Sequence, residues 1–133
     1  MVAMPHFSID LVAEQSADFR QVLWTGVHSQ LVIMTIPPGG QIGAETHDHT
    51  DQILTFVSGV GEADVAGETK PVTPGDLVAV AAGALHNVRN TGVNPLVLYT
   101  VYAPPEHAEG AVHATKADAD VAEESGQDEP PTN

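Results

Sequence analysis

GGQIGAETHDHTDQILTFVSG, from Gly39 to Gly59, packs Glu45, His47, His49, Asp51 and Gln52 between glycine turns and then runs into an apolar strand. Glu45, His47 and His49 alternate with period two. In an extended chain their side chains therefore leave one face together. Imidazole and carboxylate groups converging on one face suit a divalent first-row metal. A solvated polar turn that happens to hold two histidines would look the same, so the reading needs a second, independent stretch.

The chain is 133 residues long, one domain's worth and enough for a single core. It has no cysteine, so disulfide and thiolate chemistry are excluded and a reducing, cytoplasmic location is the expectation. No apolar run is long enough to span a membrane, and the start, MVAMPHFSID, does not read as a secretory signal. With 18 acidic against 4 basic residues the net charge is -14, which repels phosphate backbones and argues against a nucleic-acid partner. Part of that excess lies after Lys116, where acids occur without any base.

Outward from the opening stretch, segments rich in Val, Ile and Leu recur about every ten residues between Gly and Pro turns. Strands are predicted over 21–27, 31–36, 53–57, 62–66, 69–72, 77–81, 87–89 and 96–102. No helix is predicted before residue 105, and a short one is predicted over 114–122. Many short, evenly spaced strands indicate an all-β sandwich or barrel. Segments 77–81 and 96–101 are apolar on both faces, as in strands covered twice, and a homodimer is the expected source of one cover. The organisation read from this pattern is an arm with the first strands over 1–30, a barrel core over 31–103, an extension packed on it over 104–122 and a disordered acidic tail over 123–133.

The second stretch is PGDLVAVAAGALHNVRN, Pro74 to Asn90. Its spacing, Gly75-x5-Ala81-x-Gly83-x2-His86-x3-Asn90, resembles the second signature of the cupin superfamily, with Ala81 where a proline is usual. The Gly39–Gly59 stretch resembles the first signature, and the 15 residues between Gly59 and Gly75 also fit. The resemblance implies a double-stranded β-helix, a small jelly-roll barrel with a metal held in its mouth by both motifs.

Two registers of the first motif compete. With His47 and His49 as the family's His-x-His pair, the next acid would fall at Ile53 or Leu54, and Glu45 becomes a base beside the site. In the other register, Gly39-x5-Glu45-x-His47-x4-Gln52-x6-Gly59 keeps every family spacing, with Glu45 for a histidine and Gln52 for a glutamate. Backbone geometry sets spacing whereas donor type drifts, so the resemblance favours Glu45, His47, Gln52 and His86 as metal ligands. His49 is then an alternative ligand or, with Glu45, a proton shuttle. Fe(II), Mn, Ni and Zn all suit two imidazoles with one carboxylate and an amide. His6, His28, His107 and His113 have no matching partner and are expected at the surface. Asn87 and Asn90 are read as turn formers.

The ending LYTVYAPPEHAEGAVHATKADAD is similar to a group of small bacterial single-domain cupins, often labelled as resembling mannose-6-phosphate isomerase. A phosphosugar needs cations in the pocket, and Arg89 falls on the outward parity from His86, which argues against that substrate. With Gln52 inward, Leu54 and Phe56 face inward too, and Trp24, Met34, Tyr99 and Tyr102 are the other candidate pocket residues. Such a lining suits a small, weakly charged substrate with an oxygen that chelates metal. A metal-dependent oxygenase, isomerase or lyase is the favoured reading. A non-catalytic small-molecule binding module and a metal-free structural cupin are the alternatives.

Overall fold

The structure is a computed structural model and describes residues 4–131. Among them a helix α1 (Ile9–Gln15) precedes β1 (Arg20–Thr25), β2 (Gln30–Ile36), β3 (Asp51–Ser58), β4 (Gly61–Val65), β5 (Glu68–Val72), β6 (Leu77–Val80), β7 (His86–Asn90), β8 (Leu96–Ala103) and β9 (Val112–His113), and α2 (Lys116–Glu124) follows. The strands form two antiparallel sheets, one ordered β6-β3-β8-β2-β1-β9 and a smaller one ordered β5-β4-β7. Segment 40–45 runs beside β7 as an irregular fourth member of the smaller sheet, through Ile42 N–H to Val88 O and Asn90 N–H to Gly40 O, both 2.9 Å.

Alternation along the strands puts the core between the sheets. Gln52, Leu54 and Phe56 of β3 are buried on one face, as are Val32, Met34 and Ile36 of β2, and Leu96, Leu98 and Tyr102 join them from β8. At Gly59 the chain turns with φ +82°, and a Cβ there would lie 2.4 Å from the Pro95 carbonyl oxygen, so only glycine fits. The edge strand β5 carries exposed Glu68 and Lys70, and Pro71 opposite Glu62.

The predicted strands are present, but four expectations change. The arm contains a helix: Ile9, Val12 and Ala13, spaced i, i+3, i+4, pack on Ile33, Val97 and Tyr99. That helix supplies the outer cover of β8 that the sequence attributed to a second subunit. The outer face of β6 is different, because Leu77 there is exposed. The tail expected to be disordered is held to the fold at one point, since Asp128 is buried and accepts hydrogen bonds from His107 Nδ1 at 2.7 Å and Ala108 N–H at 3.0 Å. His107 is correspondingly a buried residue and not a surface one. Of the tail expectation, residues 132 and 133 lie outside the described residues. α2 begins close to its predicted start, with Thr115 Oγ1 accepting from the Asp118 N–H at 3.1 Å as its cap.

Candidate metal centre

Backbone pairing brings the two motifs together. Glu45 N–H donates to His86 O at 2.9 Å and His86 N–H donates to Glu45 O at 3.0 Å. Residues that exchange both bonds stand directly opposite, with side chains on the same face. The Asn87 side chain fastens the same segment, accepting from Gly43 N–H at 2.9 Å and donating to Gln41 Oε1 at 2.8 Å. That fastening role differs from the turn predicted for Asn87. Asn90 does hold a turn, through Gly92 N–H and the Asn94 carbonyl. Two residues past Glu45, the His47 carbonyl accepts from Gly83 N–H at 2.8 Å, tying the second motif's turn to the first motif.

One donor atom from each of Glu45, His47 and His86 lies within 4.8 Å of the others. Glu45 Oε1 is 3.4 Å from His47 Nε2 and 3.8 Å from His86 Nε2. Both rings use Nδ1 elsewhere: His86 Nδ1 donates to the Ala84 carbonyl at 3.0 Å, and His47 Nδ1 donates to Glu106 Oε1 at 2.9 Å. Both Nε2 atoms are buried without a hydrogen-bond partner, and so is Gln52 Oε1, whose amide donates from Nε2 to Thr100 Oγ1 at 3.1 Å. Gln52 enters from the larger sheet, opposite Tyr102 in register. The Tyr102 ring meets His47 edge-on at 5.9 Å between centroids.

Buried polar atoms are nearly always paired, so two unpaired ring nitrogens beside a carboxylate, and a buried amide oxygen without a partner, call for an explanation. Two imidazoles with Nδ1 tied to oxygen present Nε2 as the free position, the usual arrangement of histidines around a metal. The group of two imidazoles and a carboxylate therefore fits a divalent cation. Electrostatics agree. Although burial alone would push Glu45 up, the neighbouring His47 ring holds its carboxyl below the usual range. Burial opposes protonation of His47, but Glu106 and Glu45 override it and push the imidazole up to about 10.

The remaining sequence candidates are distributed around this centre. His49 is exposed and stands outside the group. Met34, Leu54, Phe56 and Tyr102 fill the core, whereas Trp24 is 40% exposed and Tyr99 packs with Ile33 and Val97 on the opposite face of the sheet. Arg89 points outward and pairs with Asp64 and Glu62. The site reaches solvent along the partly exposed side chains of Glu45 and Glu106. A cavity of about 810 Å³ opens elsewhere, lined by Phe19, Pro37, Pro95 and Lys116 among others and by none of the donor residues; it lacks a convergent donor set. Glu106 escaped the sequence reading because it follows the last predicted strand, outside both motifs.

A family model described as a cupin domain matches residues 32–102, more than half of the chain. The chain belongs to the cupin family. This cupin is 42% identical over 123 residues to an uncharacterised protein, YrkC, of Bacillus subtilis; the alignment covers 88% of the chain and 66% of the relative, so the chain spans slightly less than two thirds of that protein's length. Among solved structures, the BH2720 protein of Bacillus halodurans superposes with a TM-score of 0.87 at 40% identity, covering 88% of the cupin chain and 93% of its own. A Klebsiella pneumoniae protein with a double-stranded β-helix domain superposes with a TM-score of 0.67 at 25% identity, covering 85% of the cupin chain and all of its own. These likenesses carry the double-stranded β-helix fold.

Proposed function

We propose that this cupin binds a divalent metal, Fe(II), Mn, Ni or Zn, through Glu45, His47, Gln52 and His86, and that it is a small metalloenzyme of the oxygenase, isomerase or lyase class. The observation that supports this most is the pair of buried, unpaired atoms His47 Nε2 and His86 Nε2 beside the Glu45 carboxylate, with Gln52 Oε1 a further buried acceptor without a partner. When bound, the metal supplies Lewis acidity toward a substrate oxygen. The chain's residues do the rest. In this reading Glu45, partly open to solvent, holds the metal through one carboxylate oxygen and accepts a substrate proton on the other. The Tyr102 ring and the packed core behind it close the inner side to water. Glu45 and Glu106 balance the charge of a bound divalent ion, which leaves a near-neutral mouth and favours a small, weakly charged, oxygen-chelating substrate. His49 has no part in this assignment.

Elemental analysis of the purified protein tests the reading, repeated on Glu45→Ala and His49→Ala. Near-stoichiometric metal in the wild type and in His49→Ala, with loss in Glu45→Ala, is the expected result. A wild type that stays empty after incubation with each of the four ions overturns it, and so does emptying by His49→Ala alone. Turnover lost in a folded His47→Ala variant then distinguishes an enzyme from a binding module.

A further inference from the structure

The hydrogen bond from His47 Nδ1 to Glu106 Oε1 links the candidate centre to a segment beyond the family-matched residues 32–102. Glu106 is held on every side. Its Oε2 accepts from Thr50 Oγ1 at 3.2 Å. Its backbone N–H donates to Gln30 Oε1 at 3.1 Å, and the same Gln30 oxygen accepts from His107 N–H at 2.9 Å. Gln30 Nε2 donates back to the His107 carbonyl at 2.8 Å, and Asp128 fastens His107 and Ala108 from the other side. Gln30 is fully buried, so the carboxylate sits on backbone clamped to the sheet.

Such a carboxylate does three things to an imidazole. It fixes the rotation of the ring, it keeps the proton on Nδ1, and it makes Nε2 a stronger donor. His86 has only the neutral Ala84 carbonyl in the equivalent place. The two carboxylates, Glu45 and Glu106, also match the charge of a divalent ion taken out of water.

We propose that Glu106 is a positioning residue of the metal centre, holding His47 with Nε2 directed at Glu45 and His86 so that the group binds a divalent cation tightly. This rests on the metal-binding reading above. The expectation is that removing the carboxylate weakens metal binding about 10- to 100-fold, the usual effect of losing such a partner.

The test is a competition titration of zinc against a chromophoric chelator for wild type, Glu106→Ala, Glu106→Gln and Thr50→Val, with circular dichroism of each metal-free protein to verify the fold. Glu106→Ala should show the full loss and Glu106→Gln, which keeps an acceptor for Nδ1, a smaller one. Thr50→Val, which frees the far oxygen, should shift affinity in the same direction. In the zinc-loaded wild type, NMR should show a slowly exchanging His47 Nδ1 proton, retained in Glu106→Gln and lost in Glu106→Ala. Wild-type affinity and a retained proton in folded Glu106→Ala overturn the proposal. If that variant does not fold, unchanged affinity in both other variants overturns it. A wild type that binds none of zinc, manganese, nickel or Fe(II) defeats the metal-binding reading itself, a result distinct from a variant that behaves like a metal-binding wild type.

Discussion

Glu45 and His86 exchange both backbone hydrogen bonds, at 2.9 and 3.0 Å, although forty residues of chain and four strands lie between them. The pair fixes the two side chains on one face before any ligand arrives. Tyr102 of the larger sheet meets His47 edge-on, so the candidate centre lies where the two sheets face each other, and Gln52 stands opposite Tyr102 in register.

Gln52 is the proposed ligand whose role is easiest to separate from folding. Its Oε1 is buried without a partner, an unfavourable state for a residue kept only for stability. Gln52→Leu should leave the metal-free protein no more than about 1 kcal/mol less stable, because the lost bond to Thr100 is offset by removal of the orphaned oxygen. Thr100 keeps its bond to the Ile53 carbonyl. Metal affinity should fall in the same variant. Urea unfolding with and without metal measures both, and a large loss in the metal-free protein would mark Gln52 as structural.

Gln30 behaves in the opposite way. Its side chain satisfies Glu106 N–H, His107 N–H and the His107 carbonyl. Gln30→Ala orphans these groups at about 1–3 kcal/mol for each that stays buried. The urea midpoint of the metal-free protein should drop sharply, and metal affinity with it as Glu106 loosens. An unchanged midpoint would refute the clamp.

Two histidines make the pH profile of the metal-free protein asymmetric. Burial holds His107 below its ordinary value despite Asp128, so it is neutral in the fold and donates Nδ1–H to that carboxylate. Its contribution is complete above the unfolded value near 6.5 and is lost as pH falls toward the lower folded value. His47, pushed up to about 10, contributes fully below 6.5 and loses that contribution as pH rises toward 10. Stability should therefore peak near pH 6.5 as far as these two groups decide it. Chemical denaturation from pH 5 to 9 after chelator treatment checks this, and His107→Gln should flatten the acid side alone.

Much of the fold can be read from the chain because its turns and strands are local. Glycines at 39, 59, 75 and 83 mark backbone that bends, and the alternation of Gln52, Leu54 and Phe56 marks the inward face. Motif spacing also separates Glu45, His47 and His86 from the other histidines, and these are the three that lie together. The features that escaped depend on distant contacts. α1 has seven residues, one apolar face and no side-chain cap at Ser8, too little for a local signal, and the sheet beneath it completes it. Glu106 meets Thr50 across fifty-six positions, and Asp128 meets His107 from a tail whose polar, Pro-rich composition reads as unstructured.

The border strand β5 has a bearing on colloidal behaviour. A neighbouring molecule that tried to lengthen the smaller sheet there would find a missing donor at Pro71 and would have to desolvate Glu68 and Lys70. Cross-molecular strand addition along that margin is discouraged, which guards a concentrated solution of this protein against fibre-like stacking from that side.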